Sequence, residues 1–197
     1  MTAPVLSDRR RAMRRAHLRL FVWPLCFLIA VSTVLFLILR PASPSEQQSA
    51  GPVVGQPVAD FTLPSLDGTQ SGPTRFRGHP LFLQFWAVNC TSCAHERVAL
   101  LKASAPFIRQ GGVALGVDAY LETPEMVRAY LKTHPEPYTT ILLDPNGSVV
   151  FGKFHVIGVP TSLFIDRRGI VRKVEIGEMT EAGFRDAFNQ LLKQAAA

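Results

Sequence analysis

The chain has 197 residues, 47% of them hydrophobic, and a formal charge of +6. In the first forty residues seven arginines (Arg9, Arg10, Arg11, Arg14, Arg15, Arg19 and Arg40) stand against Asp8 alone, so residues 41–197 are electrically balanced. A nucleic-acid-binding domain, which needs its basic excess on a folded surface, is excluded. So is a four-cysteine zinc site, because the chain has three cysteines.

Residues 1–19 carry six of those arginines and precede residues 20–39, an apolar stretch without charge, broken mainly by Pro24. At ~1.5 Å per residue, about twenty residues span a hydrocarbon core of ~30 Å, which predicts one transmembrane helix. The arginine asymmetry puts residues 1–19 in the cytoplasm and the remainder outside. A cleaved signal peptide is the alternative, but the run exceeds the usual ~7–15 apolar residues and no small-x-small site adjoins it. Cys26 would lie within the span as a packing residue. Residues 40–52, rich in Pro, Ser and Gln, read as a linker. Residues 53–197 are of single-domain size.

Within that domain, Val58 to Leu63 is predicted as a strand, followed by a turn at Leu66–Thr69 and the buried strand Leu81 to Trp86. A helix is expected from Cys90 to about Gln110, stopped by Gly111-Gly112, and then the apolar strand Val113 to Asp118. Thr123-Pro124-Glu125 is a helix start, with a hydroxyl cap, proline at the first position and an acid in the first turn. Thr139 to Leu143 is the next strand, Ser148 to Phe154 a weak helix, and 161–166 and 170–176 a hairpin around Arg167-Arg168-Gly169. Thr180 caps a last amphipathic helix carrying Phe184, Phe188, Leu191 and Leu192. This order predicts an α/β domain with a mixed sheet and helices on both faces.

Cys90-Thr91-Ser92-Cys93 follows a predicted strand and opens a predicted helix. Two intervening residues let the cysteines exist as two thiols or as a disulfide across one helical turn, which points to redox chemistry. Covalent haem attachment needs His directly after the second cysteine, and Ala94 stands there. A purely structural disulfide is the competing reading, but so short a loop restricts the unfolded chain very little.

Phe85–Glu96, Gly158–Gly169 and Gly177–Glu181, taken in order, resemble the membrane-anchored TlpA, ResA and DsbE (CcmG) group of thioredoxin-like thiol-disulfide oxidoreductases. The resemblance covers about residues 53–195. It implies a thioredoxin-like fold, with a central mixed β-sheet flanked by helices, on the outer side of a bacterial cytoplasmic membrane. It implies a reductase of disulfides in exported proteins, apocytochrome c included, recharged by a membrane thiol donor of the CcdA/DsbD type. No cofactor and no metal are expected.

On this resemblance Cys90 is the attacking thiol, its thiolate favoured by the helix start, and Cys93 is the more enclosed resolving thiol. Trp86 packs beside the pair. Pro160 is cis and faces the dithiol, which leaves the backbone of Val159 to pair with an extended substrate. Glu96, three residues after Cys93, is a candidate proton partner for it, with a solvated helix glutamate as the plainer alternative. Gln84 occupies a place where ordinary thioredoxins have a buried aspartate, and an amide cannot act as a base. Asn89, Thr91 and Ser92 depart from the residues common around this dithiol. Two other functions are compatible with parts of the pattern. A thiol peroxidase would carry proline and threonine where this chain has Leu83 and Ala87. A copper-delivery protein would use the cysteines as soft ligands with a distant histidine such as His155.

Overall fold

Six consecutive buried residues, Leu81–Trp86, form the central strand, and continuous rather than alternating burial follows because both sheet faces are covered. The computed structural model describes residues 51–135 and 137–194, together with 29, 31–33 and 36. The predicted cytoplasmic segment 1–19, most of the anchor 20–39 and most of the linker 40–52 lie outside the described residues. Among the described residues no helix is long and apolar enough to cross a membrane.

The elements run β1 (Leu63–Pro64), β2 (Gln70–Ser71), a 3-10 turn (Pro73–Phe76), β3 (Leu81–Trp86), α1 (Thr91–Arg109), β4 (Val113–Asp118) and α2 (Pro124–Leu131). They continue with β5 (Thr140–Leu143), a π-helical turn (Ser148–Lys153), β6 (Thr161–Ile165), β7 (Val171–Ile176) and α3 (Glu181–Gln194). The main sheet has the order β5-β4-β3-β6-β7. Strands β3, β4 and β5 are parallel, with Phe85 opposite Val117 and Val117 opposite Leu142. Strand β6 runs antiparallel to both β3 and β7. β1 and β2 form a separate antiparallel pair.

The predicted strand Val58–Leu63 is absent as such: only Leu63–Pro64 pairs, while Val58 N–H donates to Gly169 O at 2.8 Å and Pro57 bridges to Ile170. Its buried residues Val58, Phe61 and Leu63 are spaced three and then two apart, which is not the period of a strand. The segment passes so close to Gly72 that a Cβ there would fall 1.8 Å from Phe61 O.

The sheet is flanked by helices, with the three α-helices on one face and the predicted weak helix after β5, a π-helical turn at Ser148–Lys153, on the other. Two successive right-handed crossovers, β3-α1-β4 and β4-α2-β5, advance in the same direction, so both helices land on the same side. Phe82 and Phe164 face α1 and α3 through Leu100, Phe107, Phe184 and Phe188. Each fully buried phenylalanine contributes about 1.5–3 kcal/mol of transfer free energy. Trp86, Ile141 and Leu143, on the same face, meet Val127 of α2. The opposite face, with Leu83, Phe85 and Leu115, is covered by Val58, Phe61 and the π-helical turn with Val149 and Val150.

The capping signals act where they were read. The Thr123 hydroxyl accepts from Met126 N at 3.3 Å and that of Thr180 from Gly183 N at 3.1 Å. All three elements that approach the dithiol, the β3–α1 loop, the β4–α2 loop and the start of β6, emerge at one end of the sheet.

Candidate active site

Cys90 is the N-cap of α1, in extended backbone, and its Sγ accepts the N–H of Cys93 at 3.0 Å. A sulfur in this position meets amide donors that the helix itself cannot use, so local geometry favours negative charge on it. The two sulfurs form a disulfide, with Cα atoms 5.2 Å apart. In this oxidised form Cys90 and Cys93 are equally buried, at 8% exposure each, so the contrast in exposure expected from the resemblance is absent. Cys90 Sγ rests 3.7 Å from the carbonyl oxygen of Val159.

Val159 and Pro160 precede β6, and their peptide bond is cis. Pro160 is buried and Val159 half-buried. Trp86, at the end of β3, is buried against Tyr130 and Tyr138, with ring centroids 5.9 and 5.7 Å away. Residues from three separate stretches of chain are thus gathered around the dithiol.

Glu96 is buried, at 3% exposure, one helical turn beyond Cys93. Its Oε1 accepts from Gln84 Nε2 at 2.8 Å and its Oε2 from Met179 N at 2.8 Å. Loss of hydration pushes its carboxyl up to about 7 against the pull of those two hydrogen bonds, and the nearby charge of Glu178 adds to the rise. It is therefore poised between its two protonation states at neutral pH.

Gln84 joins this carboxyl to the sheet. Its amide also donates to Ser162 Oγ at 2.8 Å, and its oxygen accepts from Tyr138 OH at 2.5 Å. A small cavity of about 10 Å³, the room one water needs, lies against Gln84, Trp86, Cys93, Arg97 and Tyr138. It borders both Cys93 and Gln84, the residue whose amide holds the Glu96 carboxyl. Ser162, Tyr138 and the Met179 N–H went unread in the sequence. The one signal for them was Gln84 itself, a polar side chain within an apolar strand, which must find partners when buried.

His155 is exposed, with φ 48°. Among the described residues no group of three or more His, Cys, Asp or Glu side chains is arranged to hold a metal ion.

The AhpC/TSA family profile matches residues 54–174. The chain belongs to the AhpC/TSA family. Within it, the relatives are dithiol exchangers. The thiol:disulfide interchange protein DsbE of Xylella fastidiosa is 30% identical over 148 residues, covering 74% of this chain and 71% of that protein. The DsbE protein of Escherichia coli K12 is 29% identical over 184 residues, covering 86% and 93%. A crystal structure from Chlorobium tepidum, assigned as a thiol:disulfide interchange protein DsbE, superposes with a TM-score of 0.61 at 25% identity, covering 75% of this chain and 100% of that one. This member of the family is a thiol:disulfide oxidoreductase of the DsbE type with a Cys90–Cys93 disulfide.

Proposed function

We propose that the chain is a membrane-tethered, extracytoplasmic reductase of disulfides in exported proteins, with apocytochrome c as a substrate and a membrane thiol carrier of the CcdA/DsbD type as its electron source. The observation that carries the exchange chemistry is the buried Glu96, one turn from Cys93 and balanced near neutrality, which supplies a proton partner to that thiol, while the reductive direction rests on the motifs shared with the DsbE group. The tether rests on the arginine asymmetry around the uncharged stretch 20–39.

In the reduced enzyme the Cys90 thiolate attacks one sulfur of the substrate disulfide, forms a mixed disulfide and displaces the other substrate sulfur as a thiolate, which takes a proton. Cys93 gives its proton to the Glu96 carboxylate and attacks Cys90 Sγ. The Cys90–Cys93 disulfide forms, and the second substrate sulfur leaves as a thiolate, which takes a proton from water while Glu96 returns its own to solvent. Two electrons pass from enzyme to substrate, and the membrane donor returns them. Trp86 and the Val159–Pro160 segment border the sulfurs where an extended substrate would lie, and the Val159 carbonyl beside Cys90 is available to pair with its backbone.

Two measurements test this. The full chain in detergent, equilibrated with a dithiothreitol or glutathione series, should show a reduction potential at or below roughly −200 mV, whereas a value near −120 mV would mark an oxidant and overturn the reductive direction. On cell fractionation the full chain should stay with membranes through alkaline and high-salt washes. Recovery in the soluble fraction at a size lacking the first forty residues would remove the tether.

A further inference from the structure

The loop that joins β3 to Cys90 is held by a pair of buried carboxyls, which the exchange chemistry above does not use. Strand β4 ends in Asp118, 1% exposed, and the chain returns four residues later with Glu122, 7% exposed. Asp118 gathers the intervening turn: Oδ1 accepts from Tyr120 N at 3.2 Å and Oδ2 from Glu122 N at 2.9 Å. Within that turn Leu121 adopts φ 59°, a left-handed conformation that is costly for a side chain larger than glycine. Its side chain is 48% exposed, so core packing does not explain the strain.

The turn sends the Glu122 side chain back over the β3–α1 loop. Its two oxygens straddle the N–H of Val88, at 3.0 and 2.9 Å. At the first residue of the same turn, Ala119 N donates to Trp86 O at 2.8 Å. The short stretch between Trp86 and Cys90 is therefore fastened at both ends of its first half by the β4–α2 loop. Two carboxyls in hydrogen-bonding contact do not both ionise readily in a buried place. Asp118 is pushed up to about 7, first by burial and then by its side-chain hydrogen bond to Glu122. A loop that needed only to be covered would require neither the paired acceptor oxygens on Val88 N–H nor the strained leucine.

We propose that the Asp118–Glu122 pair is a positioning element for the nucleophile: Glu122 fixes the Val88 N–H, and through that loop it sets the approach of Cys90 to an incoming disulfide. Glu122 acts through Val88, two residues from the sulfur. The inference rests on dithiol exchange by Cys90 and Cys93 and is independent of where the domain is tethered or which protein it reduces.

The test uses the reduced full chain in detergent and the second-order rate of its attack on 5,5′-dithiobis(2-nitrobenzoate). Glu122→Asp, which withdraws the carboxylate by one methylene, should slow Cys90 by about tenfold, the scale on which small misplacements act. Glu122→Gln retains an acceptor oxygen and should lose less than about threefold. Thermal unfolding of each variant, with rates read well below the midpoint, separates this from global destabilisation. A lowered midpoint with an unchanged rate in both variants would show that the pair only supports the fold. Equal slowing by both would remove the acceptor geometry as its cause. Either result overturns the proposal.

Discussion

Replacing Cys93 by alanine should trap the protein in a mixed disulfide with its substrates, and replacing Cys90 should abolish exchange by at least ~10³-fold without trapping. The asymmetry follows from the start of α1. Cys90 occupies the N-cap, its sulfur receives the Cys93 N–H at 3.0 Å, and the unpaired amides of the first turn favour its thiolate. Cys93 lies inside the helix, next to the cavity that leads toward Gln84 and away from the Val159 carbonyl beside Cys90. With Cys93 gone, attack by Cys90 proceeds but nothing within reach can resolve the product. Non-reducing electrophoresis of both variants, with mass spectrometry of the bands, reads the outcome. Trapping by the Cys90 variant in place of the Cys93 variant would reverse the assigned roles.

The substitution Glu96→Gln should have two separable effects. The first is on release: without a carboxylate to take the Cys93 proton, resolution of the mixed disulfide at neutral pH should slow by about 10²-fold, while the initial attack by Cys90 is unchanged. Stopped-flow measurement of the two phases distinguishes them, and equal slowing of both phases would deny Glu96 a role specific to Cys93.

The second effect is on stability. Glu96 holds its proton up to about 7 when folded, against 4.5 for the ordinary group. Below pH 4.5 it is protonated in both states and imposes no penalty. As pH rises from 4.5 to 7 the unfolded chain releases the proton first, and the folded state loses about 3 kcal/mol of relative stability. The Gln variant lacks this term, so its stability should fall less steeply across that window. Asp118, raised from 3.8 to about 7, acts in the same direction and should leave the variant with a residual slope. Urea unfolding at intervals from pH 4 to pH 8 measures both curves. Parallel curves would mean that Glu96 titrates normally in the folded protein. The amide group of the new glutamine faces at least one N–H donor, which lowers stability by a similar amount at every pH and does not alter the slope.

Much of the site could be read from local pattern. The cysteine spacing, the strand before it and the helix after it place the dithiol at a helix N-terminus, because capping depends on neighbours only a few residues apart. Thr123 and Thr180 mark their helices for the same reason. Val58–Leu63 does not form the predicted strand, because its buried apolar residues are spaced three and then two apart and so do not share one face of an extended chain. The placement of all three helices on one face depends on the direction of successive crossovers, which no single segment contains.

By itself, then, the sequence determined the dithiol, its place at the start of α1, the central buried strand, and the charge asymmetry ahead of residue 41. Each is a property of adjacent residues. Only the tertiary structure decided what Glu96 is, since its exposure and its titration depend on Gln84, twelve residues earlier, and on Met179, 83 residues later. The same holds for Glu122, whose partner Val88 lies 34 residues away on another loop. A glutamate has the same side chain in water or in a core. What changes its chemistry is desolvation and the donors that distant chain segments bring to it, and these exist only once the domain has packed.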